Sequence, residues 1–505
     1  MRTLFVLLLL TTAGLAGCLG DDATTDDTPA GGDDGIADPA KPYAVVMVHD
    51  SGFNPYHIGF RDDSPRAYQH PSTYLPGYPE DAIALPITLD APDLESALKA
   101  DCDLWTNVTY GQQYWFPGTK FVSVISFNPG LAGVGAGDRP NIDCSQELPA
   151  IGYRGGSHGT MTSSRATSNE YGACKRCLLG MVIGYNVEGV RWIGEQGAWV
   201  DVQSHSWGPV APVFSPVDTP LTPIISDPSL NQAIEEGAQN VLSFWASGNG
   251  AATRGGVIGH PSFLTPHFGP SVIIVGGHDS GYINTWPGFT PHVISDSCNS
   301  WAAYHDSQDG SDDSVGGGTS GATPFAAGIA ADLLVEARTL LGDVDRTGRD
   351  GDVMAAGTAP ANVTEGPLAD GVFTVQEWKD VLYKTSTARP DRQYEDGSVC
   401  SAGSGLLLYD STPIEWDQVP EAVPAYPLIG YGATDNRSRE LAFDVLRGNT
   451  PLPDRTQEDL YFVAYEQLRA VTSAVARGEP TQLDAQREVL AFLEERAREA
   501  AATTS

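Results

Sequence analysis

Residues 316–328, with the sequence GGGTSGATPFAAG, decide how the rest of the chain is interpreted. Glycines lead to a serine, Ser320, and an apolar run just after it predicts a helix over residues 323–341. Pro324 suits the first turn of a helix, because its missing N–H would have no intrahelical partner there. Backbone N–H groups and the positive end of the helix dipole would then favour negative charge near Ser320. A serine at this place can also be only an N-cap, so the segment alone leaves both roles open.

Three further polar residues precede the serine in the order aspartate, histidine, asparagine. Asp50 follows an apolar run at residues 43–49 that predicts a buried strand. His158 lies in a predicted glycine loop, and Asn249 follows a predicted strand at residues 241–246. Each of them alone would be read as a turn residue. Together they supply the orienting acid, the base and the oxyanion donor that a serine nucleophile requires.

Short apolar runs that alternate with helical patterns predict an α/β fold with a mostly parallel central sheet flanked by helices. The predicted strands are residues 43–49, 121–127, 198–204, 241–246 and 272–276, and the predicted helices are residues 230–238, 323–341, 374–385 and 437–447. Two stretches of helical spacing near the C-terminus, separated by Gly478-Glu-Pro480, predict a helical hairpin.

Four motifs in the chain resemble those of the subtilisin-like serine peptidases. They are Val48-His-Asp50-Ser-Gly52, Ser157-His158-Gly-Thr160, Ala246-Ser-Gly-Asn249-Gly250 and Gly318-Thr-Ser320-Gly-Ala-Thr-Pro324. The order aspartate, histidine, serine is the one that subtilisin uses. The resemblance covers roughly residues 43–448 and implies a three-layer α/β fold.

The resemblance also implies a role for each matching residue. Ser320 would be the nucleophile, His158 the base and Asp50 its orienting acid, with Asn249 and the Ser320 N–H as oxyanion donors. Substrate peptide would lie along Ser206, Trp207 and Gly208 as an added strand and would contact Ser247 and Gly248. The implied activity is endopeptidase hydrolysis of peptides or proteins through an acyl-enzyme, with no required cofactor.

Some flanking residues differ from the family pattern. Gly321 stands where the family usually has Met, and Met161 and Phe325 stand where it has His. None of these changes removes a catalytic group. They leave open an alternative, a catalytically silent subtilisin-like module that binds peptides or other partners at the cell surface.

The composition is strongly acidic, with 64 Asp and Glu against 29 Lys and Arg and a formal net charge of −35. Nucleic acids and anionic lipids reward basic residues, so neither is an expected partner. Such a surface suits high salt, where screening limits self-repulsion. An acidic loop with Asp343, Asp345, Asp350 and Asp352 would provide oxygen ligands for a stabilising calcium ion, although its spacing favours a solvated loop.

The N-terminus has the layout of an export signal, which we assign to residues 1–17. Leu15-Ala-Gly-Cys18 resembles a lipoprotein signal, in which Cys18 would carry the lipid; an ordinary cleaved signal is the alternative. We therefore expect an extracellular protein, held at the cell surface through Cys18 or secreted. The predicted order continues with an acidic tether at 18–40, a peptidase domain at 41–450 with an insertion at about 61–150, and a helical extension at 451–505.

Six cysteines besides Cys18 allow up to three disulfides in an exported chain, and the sequence does not choose among the pairings. They are Cys102, Cys144, Cys174, Cys177, Cys298 and Cys400. Cys174 and Cys177 have the spacing of a redox or zinc half-site. Because no second such pair accompanies them, a local structural bridge is favoured.

Overall fold

Strand β1, Val45–Asp50, lies in the middle of a mostly parallel sheet and is buried along its whole length. In this computed structural model the described residues are 43–127, 156–207, 228–246, 272–279, 282–283, 293–296, 300–302, 314–316, 319–386 and 433–454. The structural description is confined to them. The predicted extension from residue 455 onward and the predicted signal and tether lie outside these residues.

The described strands, in chain order, are β1, β2 Ile83–Ala84, β3 Tyr114–Trp115, β4 Phe121–Ser126, β5 Leu178–Ile183, β6 Val202–His205, β7 Leu242–Ala246, β8 Val272–Asp279, β9 Tyr282–Ile283, β10 Val293–Asp296, β11 Ser300–Ala302, β12 Ser314–Gly316, β13 Val353–Ala356, β14 Val372–Thr374 and β15 Ala433–Thr434. Eleven of these form one sheet in the order β15-β10-β8-β7-β6-β1-β5-β4-β3-β2, with β9 paired to β8. The pairings from β15 to β4 are all parallel. This confirms the predicted α/β class.

The described α-helices are α1 Leu94–Ala100, α2 Cys102–Thr106, α3 Gly156–Thr167, α4 Val187–Glu195, α5 Pro228–Asn240, α6 Thr319–Leu341, α7 Val375–Lys384 and α8 Asn436–Leu446. Three 3-10 helices, Ile58–Phe60, Pro65–Tyr68 and Pro71–Thr73, follow β1. No helix among the described residues has the length and apolar character needed to cross a bilayer.

The helices cover both faces of the sheet, and β1 shows which helix lies on which face. Val46 and Val48 point into the large core that contains α3, α6, α7 and α8. Val45 and Met47 point the other way, into a core that includes Ile193 of α4. Side chains alternate between the faces of a strand, so β1 is buried on both sides.

The main elements lie where the sequence predicts them, with two corrections. Residues 198–201, predicted as the start of a strand, precede β6, which begins at Val202, because the N–H groups of Trp199 and Val200 bond to the Gln196 carbonyl in a tight turn. Helix α6 begins at Thr319, four residues before its predicted start. Several elements were not predicted, and among them are helices α3 and α4 and strand β5.

The Cys174–Cys177 pair forms a disulfide, as the favoured local bridge predicts. It follows α3 and immediately precedes β5. Cys102 is disulfide-bonded as well. The bridge between Cys174 and Cys177 closes a short loop, so its role is local: it fixes the chain between the helix that carries His158 and the strand beside β1.

Candidate active site

Asp50 occupies the carboxyl end of β1, at the place where the strand order reverses. After β1 the chain forms β2 to β5 on one side of that strand and then continues with β6 on the other side. Open α/β sheets bind their ligands at the carboxyl ends of strands at such a switch point. The predicted site residue therefore lies where the fold favours a site.

The carboxylate of Asp50 is fully buried and receives hydrogen bonds from four groups. His158 Nδ1 lies 2.8 Å from Oδ1 and 2.9 Å from Oδ2. The Ser51 N–H and the Tyr185 hydroxyl donate to Oδ1 at 2.6 and 3.0 Å, and the Thr162 hydroxyl donates to Oδ2 at 3.1 Å. A buried charge needs such partners, because burial without them is costly.

The Asp50–His158 contact also assigns the tautomer of the imidazole. Both carboxylate oxygens can only accept, so Nδ1 of His158 carries the hydrogen, and in the neutral ring Nε2 is left as an acceptor. The His158 side chain is 35% exposed, whereas that of Asp50 is 0% exposed. The buried carboxylate therefore lies beneath an imidazole that remains accessible from outside.

The two groups shift each other's pKa in opposite directions. Burial alone would raise the pKa of Asp50, but the charge and hydrogen bond of His158, together with the hydrogen bonds from Ser51 and Tyr185, hold that pKa below its usual value. Burial alone would lower the pKa of His158, but the Asp50 carboxylate outweighs it and raises that pKa above its usual value. The pair therefore favours an ionised carboxylate and an imidazole more basic than an ordinary histidine.

His158 lies in the first turn of helix α3, and the predicted glycine loop at this position is wrong. Glycine, serine and threonine give α3 little intrinsic helix propensity, so tertiary packing has to stabilise it. Gly159 shows how close that packing is: a Cβ there would lie 1.8 Å from the carbonyl oxygen of Gly52. The glycine lets the helix approach the end of β1 closely enough for His158 to reach Asp50.

Ser320 is the second residue of α6, so it lies inside the first turn as predicted for a serine near positive helix charge. Pro324 is not in that first turn, because the helix begins earlier than predicted. Since Pro324 has no N–H, the Ser320 carbonyl loses the intrahelical partner four residues on. The hydroxyl of Ser206 replaces it by donating to the Ser320 carbonyl at 2.9 Å.

The same two serines form a second hydrogen bond, from the Ser320 hydroxyl to the Ser206 carbonyl at 3.3 Å. The start of α6 is thus joined to the residue just after β6 by a reciprocal pair of hydrogen bonds. Ser206 was predicted as a substrate-contacting residue, and the structure places it directly beside Ser320.

Helices α3 and α6 pack against each other and so hold His158 and Ser320 on one side of the sheet. A Cβ on Gly328 would lie 2.5 Å from the carbonyl oxygen of Ala166, which shows how closely the helices approach. Near Ser320, a Cβ on Gly321 would lie 3.9 Å from Met161 Sδ. Phe325 packs under the guanidinium of Arg165. The three atypical residues are thus part of the α3–α6 packing.

Trp207 belongs to an aromatic cluster behind the site. Its ring lies 4.9 Å from His49, 5.7 Å from Tyr185 and 5.5 Å from Trp245, measured between ring centroids. His205 stacks on Trp245 at 4.0 Å. Burial lowers the pKa of His49 to about 4, so this neighbour of Asp50 is neutral near pH 7. The cluster provides a rigid apolar wall beside the carboxylate.

Several predicted site residues lie outside the described part of the chain. They are Asn249, Gly208, Ser247, Gly248 and Cys18. Conversely, two partners of Asp50, Thr162 and Tyr185, were not predicted from the sequence. Thr162 lies one helical turn after His158, a relation that becomes visible only once α3 is known to be a helix.

The acidic loop after α6 does not assemble a recognisable ion site. Asp343 accepts from the N–H of Ala356 at 2.6 Å and pairs with Arg346 at 3.3 Å. Asp352 pairs with Arg349 at 3.3 Å. Among the described residues no group of three or more potential ligand side chains could hold a metal ion. Calcium as a stabilising ion stays a prediction.

A parallel sheet with an aspartate–histidine pair at its carboxyl edge and a serine opening the adjacent helix is the arrangement of subtilisin-like serine peptidases. The model of the subtilase family matches residues 43–342, more than half of the chain. The chain belongs to this family of serine-type peptidases.

Solved structures with which the chain is similar include three subtilisin-like proteins. A cold adapted subtilisin-like serine proteinase is 16% identical, with 64% of this chain and 87% of that chain covered and a TM-score of 0.31. The subtilase cytotoxin SubAB is 12% identical, with 81% of this chain and 92% of that chain covered and a TM-score of 0.39. The protease domain of PatA is 14% identical, with 81% of this chain and 98% of that chain covered and a TM-score of 0.39. A search of curated proteins found no match.

Proposed function

We propose that the protein is a serine endopeptidase that cleaves peptide bonds with Ser320 as nucleophile, His158 as base and Asp50 as the orienting acid. The observation that carries the proposal is the contact of His158 Nδ1 with both oxygens of buried Asp50, at 2.8 and 2.9 Å. This contact fixes the tautomer whose Nε2 can accept the serine proton.

In the proposed reaction the Ser320 hydroxyl attacks the scissile carbonyl while its proton passes to His158 Nε2. The C–N bond then breaks as His158 returns that proton to the departing amine, which leaves an acyl-enzyme. Water, deprotonated by His158, attacks the acyl carbonyl and releases the carboxylic product and Ser320. Asp50 stays ionised throughout and stabilises the imidazolium.

Negative charge on the carbonyl oxygen needs hydrogen-bond donors in the transition state. The N–H of Ser320 lies in the first turn of α6, where backbone donors lack intrahelical partners. We propose Asn249 as the side-chain donor to this oxygen, and the support for it is the sequence motif Ala246-Ser-Gly-Asn249-Gly250. Loss of such a donor lowers kcat by about 10²–10³.

The proposed substrate is an extended peptide or protein segment that pairs with Ser206, Trp207 and Gly208 as an added strand. The main support is the reciprocal contact between Ser206 and Ser320. A peptide bound to the Ser206 carbonyl through its own N–H would compete with the Ser320 hydroxyl for that oxygen. The hydroxyl would then be released toward His158.

The proposal is tested by hydrolysis of an internally quenched peptide library and of a denatured protein substrate. We expect internal cleavage by the wild type and at least about a 10³-fold lower rate for Ser320→Ala and for His158→Ala. Unaltered peptide binding with no cleavage by the folded wild type would contradict it and support a peptide-binding module.

We also propose that the enzyme acts outside the cell and is attached through a lipid on Cys18. The support is the N-terminal sequence, with its short apolar run and Leu15-Ala-Gly-Cys18 segment. Incorporation of a tagged fatty acid into the wild type, and none into Cys18→Ser, is the expected result. Equal incorporation by both, or by neither, would contradict the anchor.

A further inference from the structure

Tyr185 lies in the short connection between strand β5 and helix α4, beside the end of β1. The N–H of Gly184 donates to the Asp50 carbonyl at 2.8 Å, which ties this connection to the backbone of Asp50. Gly184 has φ of 110°, a conformation that favours glycine and lets the chain turn after β5. Asn186 then caps α4 by accepting from the Gly189 N–H at 2.8 Å.

The backbone is therefore held in place on both sides of Tyr185. From there the Tyr185 side chain reaches the Asp50 carboxylate. Its hydroxyl donates to Asp50 Oδ1 at 3.0 Å, the oxygen that also receives the Ser51 N–H and His158 Nδ1. Its ring packs against Trp207 with centroids 5.7 Å apart. Although its hydroxyl reaches a buried carboxylate, the residue is 50% exposed.

We propose that Tyr185 is a positioning residue, whose hydroxyl holds the Asp50 carboxylate against His158 and reduces the negative charge that His158 experiences. The proposal rests on the proposed function, since it assigns Asp50 and His158 the roles of acid and base. It adds a phenolic donor and the aromatic contact with Trp207 that holds that donor in place.

The physical effect follows from charge sharing at one oxygen. A donor on Oδ1 draws electron density toward its own hydrogen, so the carboxylate stabilises the His158 imidazolium less strongly. Removal of the Tyr185 hydroxyl should therefore raise the pKa of His158. A side chain that only fills space would not produce this shift, because phenylalanine fills nearly the same volume.

The other groups that face Asp50 stay in place in a Tyr185→Phe variant, including the Ser51 N–H, which donates to the same Oδ1 at 2.6 Å. His49 is buried beside Asp50 and neutral near pH 7, because burial lowers its pKa to about 4. The Thr162 hydroxyl donates to Oδ2 and also to the Gly159 carbonyl at 3.2 Å, within its own helix. Burial and the Asp50 charge raise the pKa of Tyr185, so its hydroxyl keeps its proton and remains a donor.

Tyr110 offers a matched control for the test. Its hydroxyl donates to the Glu188 carboxylate at 2.8 Å, and the residue is 46% exposed, close to the value for Tyr185. Tyr110→Phe thus removes a phenolic hydrogen bond to a carboxylate without touching Asp50. Any general effect of losing such a bond appears in both variants.

The first measurement is the pKa of His158 from NMR titration of imidazole-labelled protein in the Ser320→Ala background, which needs no activity. The signal is assigned by its loss in His158→Ala. We expect Tyr185→Phe to raise this pKa by about half a unit and Tyr110→Phe to leave it unchanged. An unchanged pKa in Tyr185→Phe, with the fold intact, would overturn the inference.

The second measurement is the pH dependence of kcat/KM in the Ser320 enzyme, normalised by active-site titration with a fluorophosphonate. Tyr185→Phe should lower kcat/KM about threefold to tenfold, mainly through kcat, and move its acid limb to higher pH. An equal loss at all pH values, or one confined to KM, would assign Tyr185 a structural role and overturn the inference. If the wild type does not label, the proposed function fails, and the NMR titration still decides the role of Tyr185.

Discussion

At the scale of single residues, the structure centres on the charge of Asp50. Two of its four donors lie on helix α3, one lies in the connection between β5 and α4, and one is the N–H of the residue that follows β1. The aspartate and histidine of the subtilisin order predicted the two residues that meet at the end of β1. Ser320, the third, lies at the start of α6, which packs against α3. Thr162 and Tyr185 were not predicted, because a hydroxyl that reaches a distant carboxylate leaves no local sequence pattern.

The raised pKa of His158 predicts the pH dependence of activity. His158 must be neutral to accept the proton of Ser320, so activity falls as the pH drops through its pKa. Since the Asp50 carboxylate raises that pKa, the acid limb of kcat/KM should have its midpoint above the ordinary histidine value of about 6.5. Steady-state rates between about pH 5 and 9 test this.

The pH profile of the wild type is compared with that of Asp50→Asn. The amide keeps the shape but removes the charge that holds the correct tautomer, and the corresponding change in trypsin-like enzymes lowers kcat about 10⁴-fold. If the acid limb of the wild-type kcat/KM profile has its midpoint below about 6.5, the proposed coupling of Asp50 and His158 is contradicted. An acid limb that has the same midpoint in Asp50→Asn would contradict it as well.

At the scale of elements, helix α3 shows what the sequence could and could not predict. Glycine, serine and threonine dominate its first turns, so local propensity indicated a loop around His158. The helix forms because α6 and the end of β1 pack against it, and these contacts are long-range. Strand β5 was missed despite its uninterrupted apolar sequence LLGMVI, which resembles that of β1.

Gly159→Ala should disrupt the approach of α3 to β1. An added Cβ would lie 1.8 Å from the Gly52 carbonyl oxygen and 2.7 Å from Met181 Cε, and the clash with the Gly52 backbone cannot be relieved by a side-chain rotation. We expect a loss of about 1–3 kcal/mol or more in the free energy of unfolding, with reduced activity. Urea unfolding followed by fluorescence measures it.

Gly321→Ala is the control, since it also adds a methyl group near the start of a site helix. Its Cβ would lie 3.9 Å from Met161 Sδ, an ordinary contact distance. Because alanine favours helix more than glycine, stability should stay the same or rise by up to about 1 kcal/mol. Equal losses in both variants would show that the Gly159 contact is not the cause.

The far end of helix α6 is held by a buried ion pair. Arg338 and Asp201 are both 0% exposed and lie 2.6 Å apart. Arg338 also donates to the carbonyls of Tyr43 and Gly348, and Asp201 accepts from the N–H of Val45 at 2.9 Å. These bonds join α6 to the start of β1, the strand that ends at Asp50.

Arg338→Met should lower the free energy of unfolding by about 3–5 kcal/mol, because it leaves the Asp201 charge buried without its partner. Lys99→Met removes an exposed pair with Glu95 and should cost no more than about 0.5 kcal/mol. Chemical unfolding compares the two. Similar small losses would show that the buried pair does not anchor α6.

At the scale of the whole molecule, the sheet order explains why residues far apart in sequence meet. Asp50 and His158 are separated by 108 positions, yet β1 and α3 place them in contact. The α/β class, the strands β1, β4, β7 and β8 and the long helix that ends at residue 341 were predictable, because apolar runs mark buried strands and helices. Exact helix starts and the short strands depended on packing that the sequence does not reveal locally.

The net charge of −35 predicts a stability that depends on salt. Like charges repel in the folded state, and raising the ionic strength from 0.1 M to 1 M shortens the screening length from about 10 Å to about 3 Å. The Tm should therefore rise between about 0.1 and 2 M KCl. Thermal unfolding followed by circular dichroism gives the Tm, and a flat or falling Tm would contradict an adaptation to high salt.

The most direct test of the central claim, that the Asp50–His158 pair activates Ser320, is labelling with a fluorophosphonate probe followed by mass spectrometry of the modified peptide. We predict a single adduct on Ser320 in the folded wild type, no adduct in Ser320→Ala, and labelling slowed by at least about 10³-fold in His158→Ala. A folded wild type that does not label, or that labels at another residue, would contradict the account.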